Sequence, residues 1–586
     1  MNGKTRCDQN RQIADSLKDA ADMILRGAKV LNVYSGEILN MNVVIRGERI
    51  WYVGPLSPIS EENTRILHLD DKLLVPGYIE PHCHPWNIYN PITFGEDGCR
   101  LGTTSLFCDN LVFYILMGIN IFEAFMNELS VMPIKYFWSC RTAPQTPMEK
   151  ENEVYSPNKL ERLIGNPAVQ SIGEITRWPE LLKGNPKIRG LIRQAKSIKK
   201  RIDGHTAGAK YEKLNIIARA GVESCHESIS GEEVLERLRL GLYVMLRESS
   251  LRPDLRNLLK ALREKDLFMD RMMLTTDGVS PQFYNQFGGT DNLIRIALEE
   301  GVDPASAYRM STINPAVYFG LDHEIGGIAP GRYADILVLK DLYHPTPEMV
   351  ISKGRVVAEG KSLIEPFPTL DWERFLPVSS FSKATWLANS DLFNIPCHGN
   401  HIGFPTIKLI NSVITRKEMV EFEVEDGFLS LDMRDGFSLL ALISREGRWV
   451  TNGVLQGFGG AVDGLASSYN TAVQILVVGR EPEAMSRAVN RVIELKGGIV
   501  AIQNGKIAYE LPLPLGGMMS DEPIRKLAEK ERELKEFLSV AGYPYHDPLY
   551  TLTFLPNDFL PEVRINYSGV VDIIRGEILW PRRDLV

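Results

Sequence analysis

Cysteine and histidine are scarce in this chain of 586 residues, and their scarcity limits the sites that it can build. Seven cysteines are scattered through the sequence, and no two of them form a CxxC pair. An odd number of isolated cysteines is typical of a reducing compartment and argues against a disulfide framework. With only ten histidines, any two that lie close together in sequence are informative.

Signals for membranes, nucleic acids and nucleotides are also lacking. The polar N-terminus has no apolar signal-peptide core, and the most apolar stretch, 111–122, is about half as long as a membrane span. The net charge of -8 argues against a nucleic-acid-binding surface. Neither a P-loop nor the His-x-Glu and Pro-Cys-x-x-Cys signature of zinc cytidine-type deaminases occurs. We expect a cytoplasmic homo-oligomer, a dimer, with a small-molecule substrate and no nucleic-acid or membrane partner.

The order of apolar segments predicts a barrel between two β-rich flanks. Residues 9–26 have helical spacing, and the alternating segments that follow them recur after the middle of the chain. The middle contains eight β/α units, which fit a (β/α)₈ barrel, although the pattern alone leaves a doubly wound sheet open. The candidate strands are 77–82, 103–108, 134–140, 168–173, 200–205, 221–226, 242–247 and 272–276. The predicted domains are an N-terminal helix with the first part of a β-sandwich (1–75), the barrel (76–320), the second part of the sandwich (321–370) and an α+β domain (371–586).

The strongest chemical signal is His82-Cys83-His84, which directly follows the apolar segment VPGYIEP. Side chains at positions i and i+2 of a strand point the same way, so both imidazoles face one side of the strand end. Two imidazoles at that spacing can bind one divalent ion. Because histidine is rare in this chain, a chance pair of surface histidines is the weaker explanation.

Four further candidates follow later predicted strands. Each is weak by itself, because a histidine at a strand end is more often a structural hydrogen-bonding residue. In a (β/α)₈ barrel, however, the C-terminal strand ends meet at the face where the chemistry of this fold takes place. We therefore expect these side chains to converge with the histidine pair. They are Glu174, His205, His226 and Asp277.

Several segments resemble a known family. VPGYIEPHCH resembles the opening signature of the amidohydrolase superfamily, and IAPGRYADILVLK resembles its closing β segment. SIGEITRWPE, DGHTAGAK, AGVESCHE and TTDG resemble blocks of the adenine deaminase family, as does the long run from LASS to LPLGGMMSD in the C-terminal part. The resemblance covers nearly the whole chain, and its C-terminal block is the most family-specific part.

The resemblance implies a binuclear divalent metal centre. By position, His82 and His84 would bind the first metal, His205 and His226 would complete the second site, and Glu174 would bridge the two. Manganese is the first expectation, with iron or zinc as alternatives, because imidazole and carboxylate ligands suit all three.

The resemblance also implies a reaction, the hydrolytic deamination of adenine to hypoxanthine and ammonia. In it, Asp277 would be both a metal ligand and the group that takes a proton from water and passes it to nitrogen. Glu174 and Asp277 are thus the expected catalytic carboxylates, and the metals would activate the water.

Residues around these ligands depart from the family pattern. The family has an Ile-Glu-Ser-Ser run where this chain has Trp86, and Asp-Pro-His-Glu where it has 109–112. We expect Trp86 and Asp109 to contact the substrate. Because such surrounding groups set specificity, two alternatives stay open. One is hydrolysis of another C–N bond, in a different aminopurine, a cyclic amide or an N-acyl group; the other is a non-catalytic protein that keeps a metal site as a relic.

Overall fold

The fold is that of a computed structural model, which describes residues 21–56, 60, 62–376, 386–431 and 436–585. The N-terminal flank is β-structure. Its first described element is strand β1, Met23–Leu31, so the helix predicted over 9–26 is wrong at its C-terminal end, and 9–20 lies outside the described residues. Met23, Ile24 and Leu25 are all buried, so the strand lacks the alternation that distinguishes a strand from a helix in sequence. The other strands of this flank are β2 Ile38–Arg46, β3 Arg49–Gly54, β4 Arg65–His68 and β5 Leu73–Pro76.

The middle of the chain forms a parallel barrel, as the sequence predicts. Within residues 62–376, eight strands pair in chain order, all in parallel, and each predicted strand is confirmed. The strand predicted over 221–226 is the shortest of them. The strands are β6 Tyr78–Cys83, β7 Thr103–Asp109, β8 Lys135–Cys140, β9 Val169–Ile175, β10 Arg201–Gly204, β11 Ser224–Cys225, β12 Tyr243–Arg247 and β13 Met272–Thr275.

The barrel closes where its first and last strands meet. A parallel bridge joins Cys83 to Asp277, and the His84 N–H donates to the Asp277 carbonyl oxygen at 3.3 Å. Just below, the buried Glu80 accepts hydrogen bonds from Thr275 Oγ1 at 2.7 Å and from the Thr276 N–H at 3.0 Å. The closure selects the barrel over a doubly wound sheet and brings the carboxyl ends of the strands to one face.

Helices cover the outside of the barrel, and side-chain caps fix where several of them begin. The Asn90 side chain accepts the first free N–H groups of helix α1, and Ser230 and Asp303 do the same for two later helices. The helices are α1 Pro91–Arg100, α2 Leu111–Leu129, α3 Glu151–Val154, α4 Pro157–Ile164, α5 Trp178–Leu182, α6 Pro186–Ser197, α7 Tyr211–Ala220, α8 Gly231–Arg239, α9 Leu255–Leu262, α10 Pro281–Phe287, α11 Thr290–Glu299, α12 Pro304–Arg309 and α13 Ile313–Phe319.

Helix α2 is apolar because it packs between the barrel and the C-terminal part of the chain. Of the described helices, it alone is long and apolar enough to cross a membrane by length and composition. Its Phe122 and Phe125 rings lie against Trp138 of β8, and Phe125 also contacts Phe375. This packing accounts for the apolar run within the barrel fold.

After the barrel the chain returns to the first sheet. Strand β14, Ile336–Leu339, pairs antiparallel with β5, so both flanks build one β domain, as predicted, and their strands join in a single sheet. Leu25, Val43, Leu74 and Ile336 belong to its apolar core. The remaining strands of this flank are β15 Met349–Ser352, β16 Arg355–Glu359 and β17 Ser362–Leu363.

The C-terminal part is an α+β domain, also as predicted. Over its described residues, ten strands form one sheet, three form another, and helix α15 packs Met485, Val489 and Val492 against the larger sheet. Helices α16 and α17 lie at the barrel, where the Gln282 N–H donates to Glu531 of α16 at 2.7 Å. The elements are α14 Trp372–Phe375, β18 His401–Leu409, β19 Thr415–Glu425, β20 Phe428–Leu429, β21 Phe437–Ile443, β22 Trp449–Gln456, β23 Gly464–Ser467, β24 Ile475–Gly479, α15 Pro482–Glu494, β25 Gly498–Gln503, β26 Lys506–Pro512, α16 Ile524–Val540, α17 Pro548–Phe554, β27 Val563–Asn566, β28 Gly569–Asp572, β29 Glu577–Pro581 and β30 Arg583–Asp584, with a 3₁₀ turn at Ser390–Phe393.

Candidate metal centre

The six side chains proposed as ligands meet at the carboxyl ends of the barrel strands. They come from five strands spread over the barrel, and their polar atoms lie within a few ångströms of one another. All six are buried or nearly so, with none more than 15% exposed. The residues are His82 and His84 at β6, Glu174 in β9, His205 after β10, His226 after β11 and Asp277 after β13.

The Glu174 carboxylate lies between the two histidine pairs. Its Oε1 atom is 3.6 Å from His82 Nε2 and 3.3 Å from His84 Nε2. Its Oε2 atom is 2.6 Å from His205 Nδ1 and 3.7 Å from His226 Nε2. One oxygen therefore faces each pair, which is the arrangement that a bridging carboxylate requires.

Asp277 divides its two oxygens in a similar way. Oδ1 lies 3.3 Å from His82 Nε2 and 3.0 Å from His84 Nε2. Oδ2 accepts a hydrogen bond of 2.7 Å from Arg247 Nη1. The residue has a φ of 54°, a left-handed conformation that costs free energy for a residue with a Cβ and is common near functional sites.

These residues fit a divalent metal by the chemistry of their donors. Four groups of three His, Asp or Glu residues have ligand atoms within 4.8 Å of one another. Two of these groups contain only candidate ligands, and a third joins His205 and His226 to Glu227. His82 Nε2 and Glu174 Oε2 are buried and have no hydrogen-bond partner that meets standard geometry. Burial alone would lower the pKa of His82, but the nearby carboxylates of Asp277 and Glu174 raise it to about 9. The cluster thus attracts positive charge at its centre.

A buried arginine that sequence analysis missed forms ion pairs with carboxylates of the cluster and its surroundings. Arg141, at the end of β8, is fully buried and donates hydrogen bonds to both Asp109 and Glu174. Burial would raise the pKa of Glu174, but Arg141, together with His205, holds it well below its usual range. Glu174 is therefore an ionised carboxylate at neutral pH.

Asp109 lies behind the candidate ligands, between Arg141 and His84. It is completely buried, its Oδ1 is 3.6 Å from His84 Nδ1, and it does not line the cavity that reaches the cluster. The expected contact between Asp109 and a substrate therefore finds no support in the geometry. An aspartate behind a histidine fixes the orientation of the ring, which is a role that a strand-end position in sequence cannot distinguish from substrate contact.

Two more residues outside the predicted set complete the site. Glu227, next to His226, pairs with Arg247, and the same guanidinium holds Asp277. Burial would raise the pKa of Asp277, but the Arg247 guanidinium and the adjacent His82 and His84 imidazoles hold it well below its usual range. Glu227 follows a candidate ligand and Arg247 ends a predicted strand, and these positions were the only signals available in the sequence.

A cavity of about 990 Å³ opens above the cluster. Trp86 lines it, with its ring 5.2 Å from the His84 ring at an interplanar angle of 67°. On the other side, Phe559 of the C-terminal domain places its ring 4.9 Å from that of His205. Aromatic side chains from two domains therefore flank the cluster.

The C-terminal domain also holds the loops that carry the site. The Tyr550 hydroxyl donates to the carbonyl oxygen of Gly278, the residue after Asp277, and lies 3.1 Å from Ser250 Oγ. The Tyr469 hydroxyl donates to Asn87 Oδ1 at 3.0 Å. Both ends of the barrel closure are thus tied to a domain that lies far away in the chain.

Comparison with protein families gives two matches that together span most of the chain. The model of the amidohydrolase family matches residues 73–357, which include the whole barrel. The model of the adenine deaminase C-terminal domain matches residues 412–577. The second match contains Phe559, whose ring lies beside His205, and Tyr550, whose hydroxyl donates to the Gly278 carbonyl oxygen.

Curated relatives match over nearly the full length. A Bacillus subtilis (strain 168) protein named "Putative adenine deaminase YerA" is 37% identical, and the match covers 95% of each chain. A Moorella thermoacetica protein named adenine deaminase is 31% identical, again over 95% of each chain. Among solved structures, a β-aspartyl dipeptidase from Fervidobacterium islandicum AW-1 aligns with a TM-score of 0.46 and 21% identity, covering 58% of this chain and 98% of its own.

Proposed function

The chain belongs to the adenine deaminase family of the amidohydrolases, hydrolases of C–N bonds, and from this premise we propose that it hydrolyses adenine to hypoxanthine and ammonia with the help of divalent metals. The observation that carries the proposal is the position of Glu174. Its two oxygens face the two histidine pairs separately, at 3.3 Å from His84 and 2.6 Å from His205. A site for a single structural ion would not require the two carboxylate oxygens to face separate histidine pairs.

The residues that would hold the metals follow from these contacts. His82, His84 and Asp277 would bind one ion, His205 and His226 the other, and Glu174 both. When bound, the metals lower the pKa of a coordinated water to about 7 and act as Lewis acids. We propose manganese as the native metal, with iron or zinc as alternatives.

We propose that Asp277 moves the proton. Its Oδ2 is held by Arg247 and its Oδ1 points to the centre of the cluster. Because its pKa is held well below the usual range, it is ionised and free to accept a proton at neutral pH. In the reaction the water forms the new C–O bond, the C–N bond breaks, and Asp277 passes the water's proton to the departing nitrogen.

The walls of the cavity would orient a flat substrate. Trp86 and Phe559 present rings beside His84 and His205, and a planar purine can stack on such rings. The C-terminal domain also limits access of water from above, because Phe559 and Tyr550 belong to it. Trp86 is our proposed substrate contact.

An ammonia-release assay with adenine tests the proposed function. Purified full-length protein loaded with manganese should release ammonia and form hypoxanthine, and Asp277→Asn should reduce the rate at least about a hundredfold. Asp270→Asn, a change at an exposed aspartate away from the cavity, is the matched control and should keep the wild-type rate. If fully metal-loaded protein forms no hypoxanthine, adenine is not the substrate; if Asp277→Asn is as active as wild type, the proton-transfer role is wrong.

A second candidate is hydrolysis of a different C–N bond by the same residues. The size of the cavity favours it, because about 990 Å³ is much more than a single base requires. Ammonia or acid release from a panel of substituted purines and cyclic amides distinguishes the two candidates.

We also propose that the protein works in the cytoplasm as a dimer, which fractionation and sedimentation experiments can test.

A further inference from the structure

The cavity extends well beyond the space next to the candidate ligands. Its volume of about 990 Å³ lies at the upper end of the range of roughly 300–1,000 Å³ that drug-sized ligands occupy. A purine base with its reacting carbon beside Glu174 and Asp277 would fill only the inner part. The outer part therefore has room for another portion of the substrate.

The outer part has an apolar wall built by both domains. Trp178, at the start of α5, and Leu251, in a loop after β12, come from the barrel, and Ile414, Phe554 and Leu560 come from the C-terminal domain. We call these five residues the outer wall. All five are partly exposed, whereas Glu174 is 3% exposed, so the outer wall lies nearer to solvent than the cluster does. Partly exposed apolar side chains that surround a cavity are a surface on which an apolar group gains free energy by leaving water.

The arginines near the outer wall already have carboxylate partners. Arg177 donates to Glu151 Oε1 at 2.6 Å and to Asp558 Oδ2 at 3.2 Å, and Arg252 donates to Asp254 Oδ2 at 2.8 Å. A phosphate on the substrate would have to compete with these carboxylates and would be repelled by them. The wall is therefore suited to an uncharged group.

We propose that the natural substrate is a nitrogen heterocycle that carries an uncharged apolar substituent, and that this substituent lies on the outer wall. The inference rests on the proposed function, because it assumes that the reacting C–N bond lies at Glu174 and Asp277. In a purine, the ring nitrogen that carries ribose in nucleosides lies across the ring system from the exocyclic amine. A substituent on that nitrogen points away from the cluster and toward the mouth of the cavity.

Binding measurements with matched purines test the inference. The probes are adenine, adenine with a benzyl group on the nitrogen that carries ribose in nucleosides, and adenosine monophosphate. Each is titrated calorimetrically into the manganese-loaded full-length chain. The benzyl compound should bind roughly tenfold more tightly than adenine, because its phenyl ring leaves water for the outer wall. Adenosine monophosphate should bind more weakly than the benzyl compound.

A variant of the outer wall distinguishes binding of the benzyl group at this wall from non-specific hydrophobic binding elsewhere on the protein. Leu560→Asp places a charge in the outer wall and should abolish the preference for the benzyl compound while adenine binding stays within about twofold. Leu387→Asp, at a leucine that is 77% exposed and does not line the cavity, is the matched control and should keep the preference.

Four results would overturn the inference. They are no binding of adenine or the benzyl compound, binding of the benzyl compound that is no tighter than that of adenine, a preference for the benzyl compound that survives Leu560→Asp, and tighter binding of adenosine monophosphate than of the benzyl compound. Ammonia assays on the same samples separate it from the proposed function. If the benzyl compound is preferred through Leu560 but neither purine releases ammonia, the outer wall is correctly assigned and the deaminase proposal fails.

Discussion

Glu174 Oε2 lies 2.6 Å from Nδ1 of His205, while the other oxygen of the same carboxylate faces His84 at 3.3 Å. A carboxylate that is divided in this way couples the two halves of the site. Its removal should affect both metal sites and not only one of them.

We therefore expect Glu174→Gln to lower the metal content of purified protein from about two ions per chain to less than one. The amide keeps the shape of the side chain but has no charge, so it binds divalent ions poorly. Elemental analysis after gel filtration measures the change. Glu151→Gln, a carboxylate at the mouth of the cavity, should keep the wild-type metal content; an unchanged content in Glu174→Gln would show that this carboxylate is not a ligand.

Arg141 should stabilise the metal-free protein strongly. It is fully buried between Asp109 and Glu174, and Arg141→Met leaves both carboxylates without their cation. Loss of one partner of a buried ion pair costs about 3–5 kcal/mol. Denaturant unfolding in the presence of a chelator should show a loss of this size in the free energy of unfolding.

The control for Arg141 is an ion pair on the surface. Arg448 pairs with Glu149, but both side chains are substantially exposed, so Arg448→Met should cost less than about 1 kcal/mol. Equal losses in the two variants would contradict the structural role given to Arg141.

Tyr550 should act on the reaction through the position of Asp277. Its hydroxyl holds the Gly278 carbonyl oxygen, next to an aspartate in a left-handed conformation that needs external support. Tyr550→Phe should reduce kcat by about tenfold and leave KM within about twofold, because a small displacement of a reacting group mainly slows the chemical step.

A second tyrosine tests whether any lost hydrogen bond would do the same. The Tyr545 hydroxyl also donates to a backbone carbonyl oxygen, that of Leu409, at 2.8 Å, but the residue does not line the cavity. Tyr545→Phe should lose similar stability, about 1 kcal/mol, with kcat unchanged. A parallel fall of kcat in both variants would reduce Tyr550 to a structural residue.

Asp547 should make the stability of the protein fall as pH rises. Burial, with Glu531 nearby and in spite of Lys535, raises its pKa from the usual 3.8 to about 7. Between these values the folded chain keeps a proton that the unfolded chain has lost, so the free energy of unfolding decreases with increasing pH and levels off above about 7. Asp547→Asn stays neutral and still caps α17, so at about pH 8 it should be more stable than wild type by 1 kcal/mol or more.

The comparison at low pH completes that test. Below about pH 3 both states of wild type are largely protonated at this position, so Asp547→Asn and wild type should have similar stability. Asp303→Asn changes an exposed cap of α12 in the same way and should give no stabilisation at about pH 8. An Asp547→Asn variant that is less stable than wild type at both pH values would contradict the buried, protonated state.

The barrel and its six candidate ligands could be predicted because their signals are local. Most of the parallel strands contain an apolar run, and His84, Glu174 and Asp277 each stand at or just after the end of a strand segment. Arg141 and Arg247 also end strands, but nothing in the sequence distinguishes them from surface arginines. Only the fold shows that one touches Glu174 and the other Asp277.

The contribution of the C-terminal domain could not be predicted for a different reason. Tyr550 and Gly278 are separated by 272 positions, and Phe559 is still farther from His205 in sequence. Such contacts depend on how two domains pack, which residue spacing does not encode. Strand β1 shows a third limit, because consecutive buried residues at 23–25 can be fitted to a helix as well as to a strand.

Anomalous diffraction from a crystal of the full-length protein grown with manganese tests the central claim most directly. We expect two manganese peaks on either side of the Glu174 carboxylate, one next to His82, His84 and Asp277 and the other next to His205 and His226. A map with no manganese at these side chains, or with both ions bound elsewhere, would contradict the account.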